Sequence, residues 1–160
     1  MTRVLTLPWV SDIGAVWCGT ERKARDAAEV LAAHLNLPLV ELADLGENDR
    51  SFTGYLPREE FEVMADRIFA DPAHSVRGWE TALDAQRRIV PAIEHIRATE
   101  APLDRDVAVI AHGAVGTLLL CCLRGNTISR EHDQPSNNGG NFFAFDLKSR
   151  HLHHGWQPID

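Results

Sequence analysis

The sequence predicts an α/β fold: a three-layer α/β/α sandwich with a mainly parallel sheet. Three observations predict it. Short apolar runs alternate with longer stretches of helical periodicity along the chain, the pattern of a sheet covered on both faces. The run Asp106-Val-Ala-Val-Ile-Ala111 is continuously apolar after its first residue, as a central parallel strand buried on both faces requires. Two of the strands lead at once into a short turn that opens a helix, through Thr20 in one case and His112-Gly113 in the other.

The elements follow in order. Residues 13–18 (Ile-Gly-Ala-Val-Trp-Cys) read as a short buried strand. A helix over 21–35 carries Ala24, Ala27, Ala28, Leu31 and Leu35 at helical spacing, with Thr20 as its N-cap. Asn36 and Pro38 close it, and 38–42 form a second strand. Residues 43–56 are polar and contain glycine, and a loop of that length in a compact domain is functional or mobile. A helix from Pro57 turns Phe61, Met64, Ile68 and Phe69 inward. A linker over 71–78 leads to a longer helix over 79–98, which buries Ala82, Ala85, Ile89, Ile93 and Ile96 and has Pro91 as a point for a kink. The 106–111 strand runs into a helix over 115–123. A loop rich in Asp, Asn, Pro and Gly then precedes a hairpin, with strands at 141–147 and 151–156 around Lys148-Ser149-Arg150.

A length of 160 residues fits one domain over 1–160, large enough to bury a core without staples. The 16 Lys+Arg against 23 Asp+Glu give a formal net charge of −7, and no basic stripe appears, which argues against nucleic acid as a partner. Cys18, Cys121 and Cys122 follow neither CxxC nor zinc spacing and read as small buried hydrophobes in a reducing cytosol. The apolar stretch Leu118 to Leu123 is too short to cross a bilayer, and the N-terminus lacks the apolar segment of a signal peptide. The expected location is therefore cytoplasmic, with no membrane partner.

Three pieces carry chemistry. His112 and Gly113 stand past the C-terminal end of the 106–111 strand, where ligands of such sheets sit. The N–H groups and dipole of the helix that opens there favour an anion such as phosphate. A histidine that only caps the turn fits the same pattern. The second piece is Arg22-Lys23, at the helix start on the same sheet edge. The helix dipole disfavours cations there, so an anionic partner would compensate; a solvated charged face is the plain alternative. The third is Glu47, whose carboxyl suits a general acid for a leaving oxygen, or is one surface carboxylate among many. His151 and His153 share one face of the last strand, but no carboxylate or thiolate accompanies them, so no metal is expected. The loop over 132–140 is placed to line the pocket.

In combination and order these pieces resemble the histidine phosphatase superfamily, the phosphoglycerate mutase-like group. The segments that carry the likeness are Glu21-Arg22-Lys23-Ala24, Glu47-Asn48-Asp49-Arg50, Arg77-Gly78-Trp79-Glu80, Ala111-His112-Gly113-Ala114, His132-Asp133-Gln134-Pro135 and Gly155-Trp156-Gln157-Pro158. The resemblance implies phosphomonoester hydrolysis or phosphoryl transfer. In that chemistry a histidine within Arg-His-Gly attacks phosphorus, a second histidine and cations hold the oxygens, and a carboxylic acid protonates the leaving group. The resemblance maps the second histidine onto His112, with Gly113 beside it, and the acid onto Glu47. A phosphate-binding arginine maps onto Lys23, which keeps the charge without the bidentate fork, with Arg22 next to it. Cations and N–H donors stabilise the charge in this family, so no cofactor is implied. The implied partner is a small phosphorylated substrate, or free phosphate or sulfate.

No Arg-His-Gly occurs in the chain, and its single Arg-His pair, Arg150-His151, precedes Leu152 in the closing hairpin. The resemblance places the family's first strand and nucleophile loop ahead of Met1. The expectation is a histidine phosphatase-like protein impaired in catalysis as given. The alternative is a non-catalytic phosphate-binding or interaction domain, with a second copy of the chain covering the strand edges left open. An α/β-hydrolase reading fails for want of a Gly-x-Ser-x-Gly elbow.

Overall fold

The computed structural model describes residues 3–136 and 139–159. After two 3-10 turns (Val4–Thr6 and Pro8–Asp12) come β1 (Ile13–Cys18), α1 (Arg22–Leu35) and β2 (Leu39–Glu41). A further 3-10 turn (Ala43–Leu45) precedes α2 (Arg58–Ala70) and α3 (Ala82–Thr99). Then follow β3 (Asp106–Ile110), α4 (Gly113–Arg124), β4 (Asn141–Phe145) and β5 (Leu152–Pro158).

β1 is the middle strand of a parallel sheet ordered β2-β1-β3, and β4 and β5 form a separate antiparallel hairpin. Strand alternation divides the sheet's side chains between two cores. Val16, Cys18, Ala108 and Ile110 pack against α1 residues Ala24, Ala28 and Leu31 on one face. Trp17, Val107 and Val109 pack on the other with α2, α3, α4 and the hairpin residues Phe143 and Phe145. The fold is thus the α/β class expected, with helices on both faces of a parallel sheet. Among the described residues, β3 has no ladder on the edge away from β1, and β4 pairs only with β5.

Several element bounds differ from expectation, each for a local reason. Glu21, not Thr20, takes the N-cap position of α1, with an extended backbone (φ −71°, ψ 141°) and no side-chain capping bond. α1 ends as expected at Asn36, whose left-handed backbone lets its N–H reach Ala32 and Ala33. α3 starts at Ala82 because the Thr81 hydroxyl accepts the Asp84 N–H, 3.0 Å away. Trp79, expected inside that helix, instead lies buried beneath the 43–56 loop and donates its indole N–H to Thr53 at 2.7 Å. α3 continues through Pro91 to Thr99. α4 begins at Gly113, two residues early, which puts His112 at its N-cap. Cys18 and Cys121 are buried, whereas Cys122 is only half-buried.

The long loop is pinned by a residue that sequence reasoning did not single out. Arg88 of α3 donates to the carbonyls of Asp44, Gly46 and Glu47 at 2.9, 3.0 and 3.2 Å. The same guanidinium pairs with Glu80 at 2.9 Å, and that bond raises its already high pKa. The fork geometry of arginine allows these bonds at once, which no lysine could reproduce. Replacement of Arg88 leaves three carbonyls without this donor and Glu80 with only the Asp49 N–H at 3.0 Å. Arg88→Met is expected to lower unfolding stability by about 2–3 kcal/mol, read as a shift in the urea midpoint. A variant as stable as the wild type contradicts this role.

Candidate functional site

The three parallel strands end at one level, since Cys18 faces Glu41 on one side and Ile110 on the other. The Gly19 N–H then bonds the Ile110 carbonyl at 3.1 Å, which holds the first turn against the end of β3. From β1 the chain order runs outward to β2 on one side and β3 on the other. Crevices at such a reversal, beyond the carboxyl ends, are where open α/β sheets take ligands. The turns after β1, β2 and β3 all emerge here.

His112 is extended (φ −123°, ψ 163°), and its carbonyl accepts the Gly116 N–H at 3.0 Å. The N–H groups of Gly113, Ala114 and Val115 precede that first bond of α4 and find no hydrogen-bond partner among the described residues. The imidazole is largely buried, with a 14% exposed side chain, and its Nε2 lies 3.4 Å from Glu21 Oε2. Glu21 Oε1 accepts the Glu47 N–H at 2.8 Å. Glycines make room for this carboxylate. A Cβ on Gly19 would stand 2.8 Å from Oε2, and one on Gly46 would stand 2.6 Å from Oε1. Glu21 Oε2 and His112 Nε2 are both shielded from solvent without a hydrogen bond.

Burial works against ionisation of Glu21. The carboxylate's bonds from its own N–H and from the Glu47 N–H, with the adjacent His112, outweigh it and hold the carboxyl below its ordinary value of 4.5. The contact with His112 becomes an ion pair when the imidazole is protonated.

The structure brings His112, Gly113 and the Glu47 backbone together. The Glu47 side chain bonds its neighbour, Oε1 accepting the Asn48 N–H at 3.1 Å. Arg22 and Lys23 do not join the cluster. The Arg22 side chain is 93% exposed and lies 3.5 Å from Asp26 one turn on. Lys23 is exposed and pairs with nothing among the described residues. α1 starts with Glu21 turned inward, and the next two side chains face solvent. The 132–140 loop does close over α4, although residues 137–138 lie outside the described set. Its Gln134 amide lies so close to Gly113 that a Cβ there would stand 1.9 Å from Nε2, and Thr117 donates to Asp133 at 3.0 Å. His151 and His153 are exposed with ring centroids 5.9 Å apart, and no metal-holding group of three ligands occurs among the described residues.

Sequence reasoning missed Glu21. A signal existed: Glu21 follows its strand by three residues as His112 follows its own by two, so parallel pairing of the two strands brings them together.

A parallel α/β sheet with a histidine at a strand-to-helix turn, beside the reversal of strand order, is the arrangement in which open α/β sheets take ligands. The histidine phosphatase superfamily (branch 1) matches residues 9–142, and the chain belongs to that family. The fold is phosphoglycerate mutase-like, as solved structures show. A mycobacterial glucosyl-3-phosphoglycerate phosphatase in complex with VO3 is 18% identical, with a TM-score of 0.67 over 98% of this chain and 81% of that one. An alpha-ribazole phosphatase from Shigella flexneri is 18% identical, with a TM-score of 0.67 over 94% of this chain and 75% of that one. A protein described as mycobacterial hydrolase 1 is 18% identical, with a TM-score of 0.65 over 81% of this chain, which spans only 66% of its length. No curated protein matches the sequence. Among the described residues, no helix is long and apolar enough to cross a membrane.

The lowered pKa of Glu21 fixes the sign of a pH effect. An ionised carboxylate favoured in the folded state stabilises it above the unfolded value near 4.5, and that contribution is lost as pH falls through the folded value. Glu21→Gln is expected to be less stable than the wild type at pH 7, with the gap in urea midpoint narrowing as pH falls below 4.5. A gap independent of pH contradicts the assignment.

Proposed function

We propose that the chain binds the phosphoryl group of a small phosphorylated molecule, or free phosphate, in the crevice between β1 and β3. The observation that carries this reading is the His112 imidazole at the N-cap of α4, beside three N–H groups that have no partner among the described residues. Such a helix start is a ready site for a phosphate, and donors aimed at one point hold its oxygens. Membership of the histidine phosphatase superfamily supports phosphoester chemistry. Related phosphatase structures are described as complexes with inorganic phosphate and with VO3, oxyanions of the kind this turn suits.

In the reaction of this type His112 holds the phosphoryl oxygens, and the half-exposed Glu47 carboxyl protonates the leaving oxygen. The Gly113 N–H donates to the phosphate, and Lys23 and Arg22 supply positive charge from the rim. The 160 residues work as one domain in the cytoplasm. None of their histidines stands in an Arg-His-Gly setting to attack phosphorus, so the chain as it stands binds the phosphoryl group and hydrolyses phosphomonoesters poorly.

A second reading, a binding module that associates with its own copies, is favoured by one specific observation. Among the described residues β3 and β4 each have an edge without a ladder, and Val107, Val109, Phe143 and Phe145 from these strands share one core. Such edges are covered by pairing with another chain.

Calorimetric titration with inorganic phosphate and a p-nitrophenyl phosphate assay, on wild type and His112→Ala, test the proposal. Saturable phosphate binding that His112→Ala weakens at least about tenfold is expected, with little turnover. Binding that is indifferent to His112→Ala overturns the site. Ready turnover that disappears in His112→Ala contradicts the impairment and removes the binding-module reading.

A further inference from the structure

The strongest unexplained feature is an anion already present where the proposed one would bind. Glu21 occupies the N-cap of α1, where a side-chain oxygen ordinarily accepts one of the helix's own first N–H groups. It makes no such bond. The N–H groups of Arg22 and Lys23 stay without hydrogen-bond partners among the described residues. The carboxylate turns the other way, into the crevice, onto the Glu47 N–H and against His112.

We infer that Glu21 is a built-in occupant of the anion site, so that its carboxylate must leave the crevice before a phosphoryl group takes its place. This rests on the phosphate-binding reading above and deepens it. The groups around the carboxylate are a backbone N–H at 2.8 Å, an imidazole nitrogen at 3.4 Å, and two glycines on which a Cβ would stand 2.8 and 2.6 Å from its oxygens.

The local charge admits one anion. Arg88, the nearby half-buried cation, is committed to Glu80 and three carbonyls. Arg22 faces solvent with Asp26, and Lys23 is exposed. The start of α4 offsets about half a negative charge. A phosphate beside the ionised Glu21 would bring like charges within a few ångströms, which disfavours both.

The contact with His112 is also incomplete. Oε2 and Nε2 face each other without a hydrogen bond, and both are shielded from water. On that side the carboxylate has the His112 imidazole as its one neighbour among the described polar groups. Its side chain is 41% exposed, so a rotation carries it to solvent without unpacking the core. The free N–H groups of Arg22 and Lys23 offer it a second resting place, as a cap of α1.

The experiment is a titration with inorganic phosphate, followed by calorimetry and by the amide spectrum of the full chain. It compares wild type with E21Q, which keeps the size and removes the charge, with E21A, and with E21Q/H112A. Phosphate is expected to bind E21Q and E21A about tenfold tighter than wild type, and E21Q/H112A is expected to lose that gain. Equal affinities for wild type and E21Q, both reduced by H112A, overturn the occupant and leave the phosphate site standing. Weaker binding to E21Q and E21A also overturns it, since Glu21 would then support the ligand. Absence of binding in every variant at millimolar phosphate overturns the site reading and this inference together.

Discussion

β1 is paired on both sides, and its last residue, Cys18, stands level with Glu41 of β2 and Ile110 of β3. Much else follows from that register. Three strands that end at one level release three turns into one space, and the reversal of direction at β1 keeps that space from being filled by a crossover. Glu21 comes from the first turn, Glu47 from the loop after the second strand, and His112 from the third. A slip by one residue would turn every strand side chain to the other face, exchanging the α1 core for the α3–α4 core. The two cores therefore defend the register, and the register assembles the site.

A long loop beside such a site costs conformational entropy to hold still. Here α3 does the holding. Arg88 reaches three loop carbonyls, and Trp79 donates to Thr53 from beneath. Arg50 of the loop lies over the rings of Phe61 and Trp79, with its guanidinium carbon 5.0 and 5.6 Å from their centres. With the loop fixed, the Glu47 N–H points at Glu21 and not at water. A second cluster does the same for the loop after α4. Arg130 bridges Glu62, Asp66 and Asp133, while Asp133 accepts from Thr117.

The fold class and most elements were legible in the sequence, because apolar period and run length report burial directly. The 106–111 run and the Leu31–Leu35 stripe needed no tertiary information. The helix start at Ala82 was not legible, since Trp79 extends the apolar period although it packs under a loop. The N-cap of α1 was misread for a related reason: Thr20 is the better intrinsic capper, but Glu21 sits where the backbone turns. His112 was legible as a strand-to-helix histidine. Its partner was not, because a carboxylate at a helix start reads as an ordinary dipole-favoured surface residue. Only strand pairing shows that Glu21 and His112 meet. Arg22 and Lys23 stand at a helix start and fit the family pattern, but their exposed positions are set by the inward turn of the residue before them.

The chain is thus a histidine phosphatase superfamily member in which a carboxylate, an imidazole and one loop N–H share a crevice. The bond from the Glu47 N–H to Glu21 is the link between the loop, the strand register and the histidine. Hydrogen exchange of the Glu47 amide measures that link directly. Slow exchange in the wild type, rising by about tenfold or more in Glu21→Ala while the amides of β1 and β3 keep their protection, is the predicted result. A Glu47 amide that exchanges as fast as an exposed loop in the wild type, or at one rate in both proteins, would contradict it.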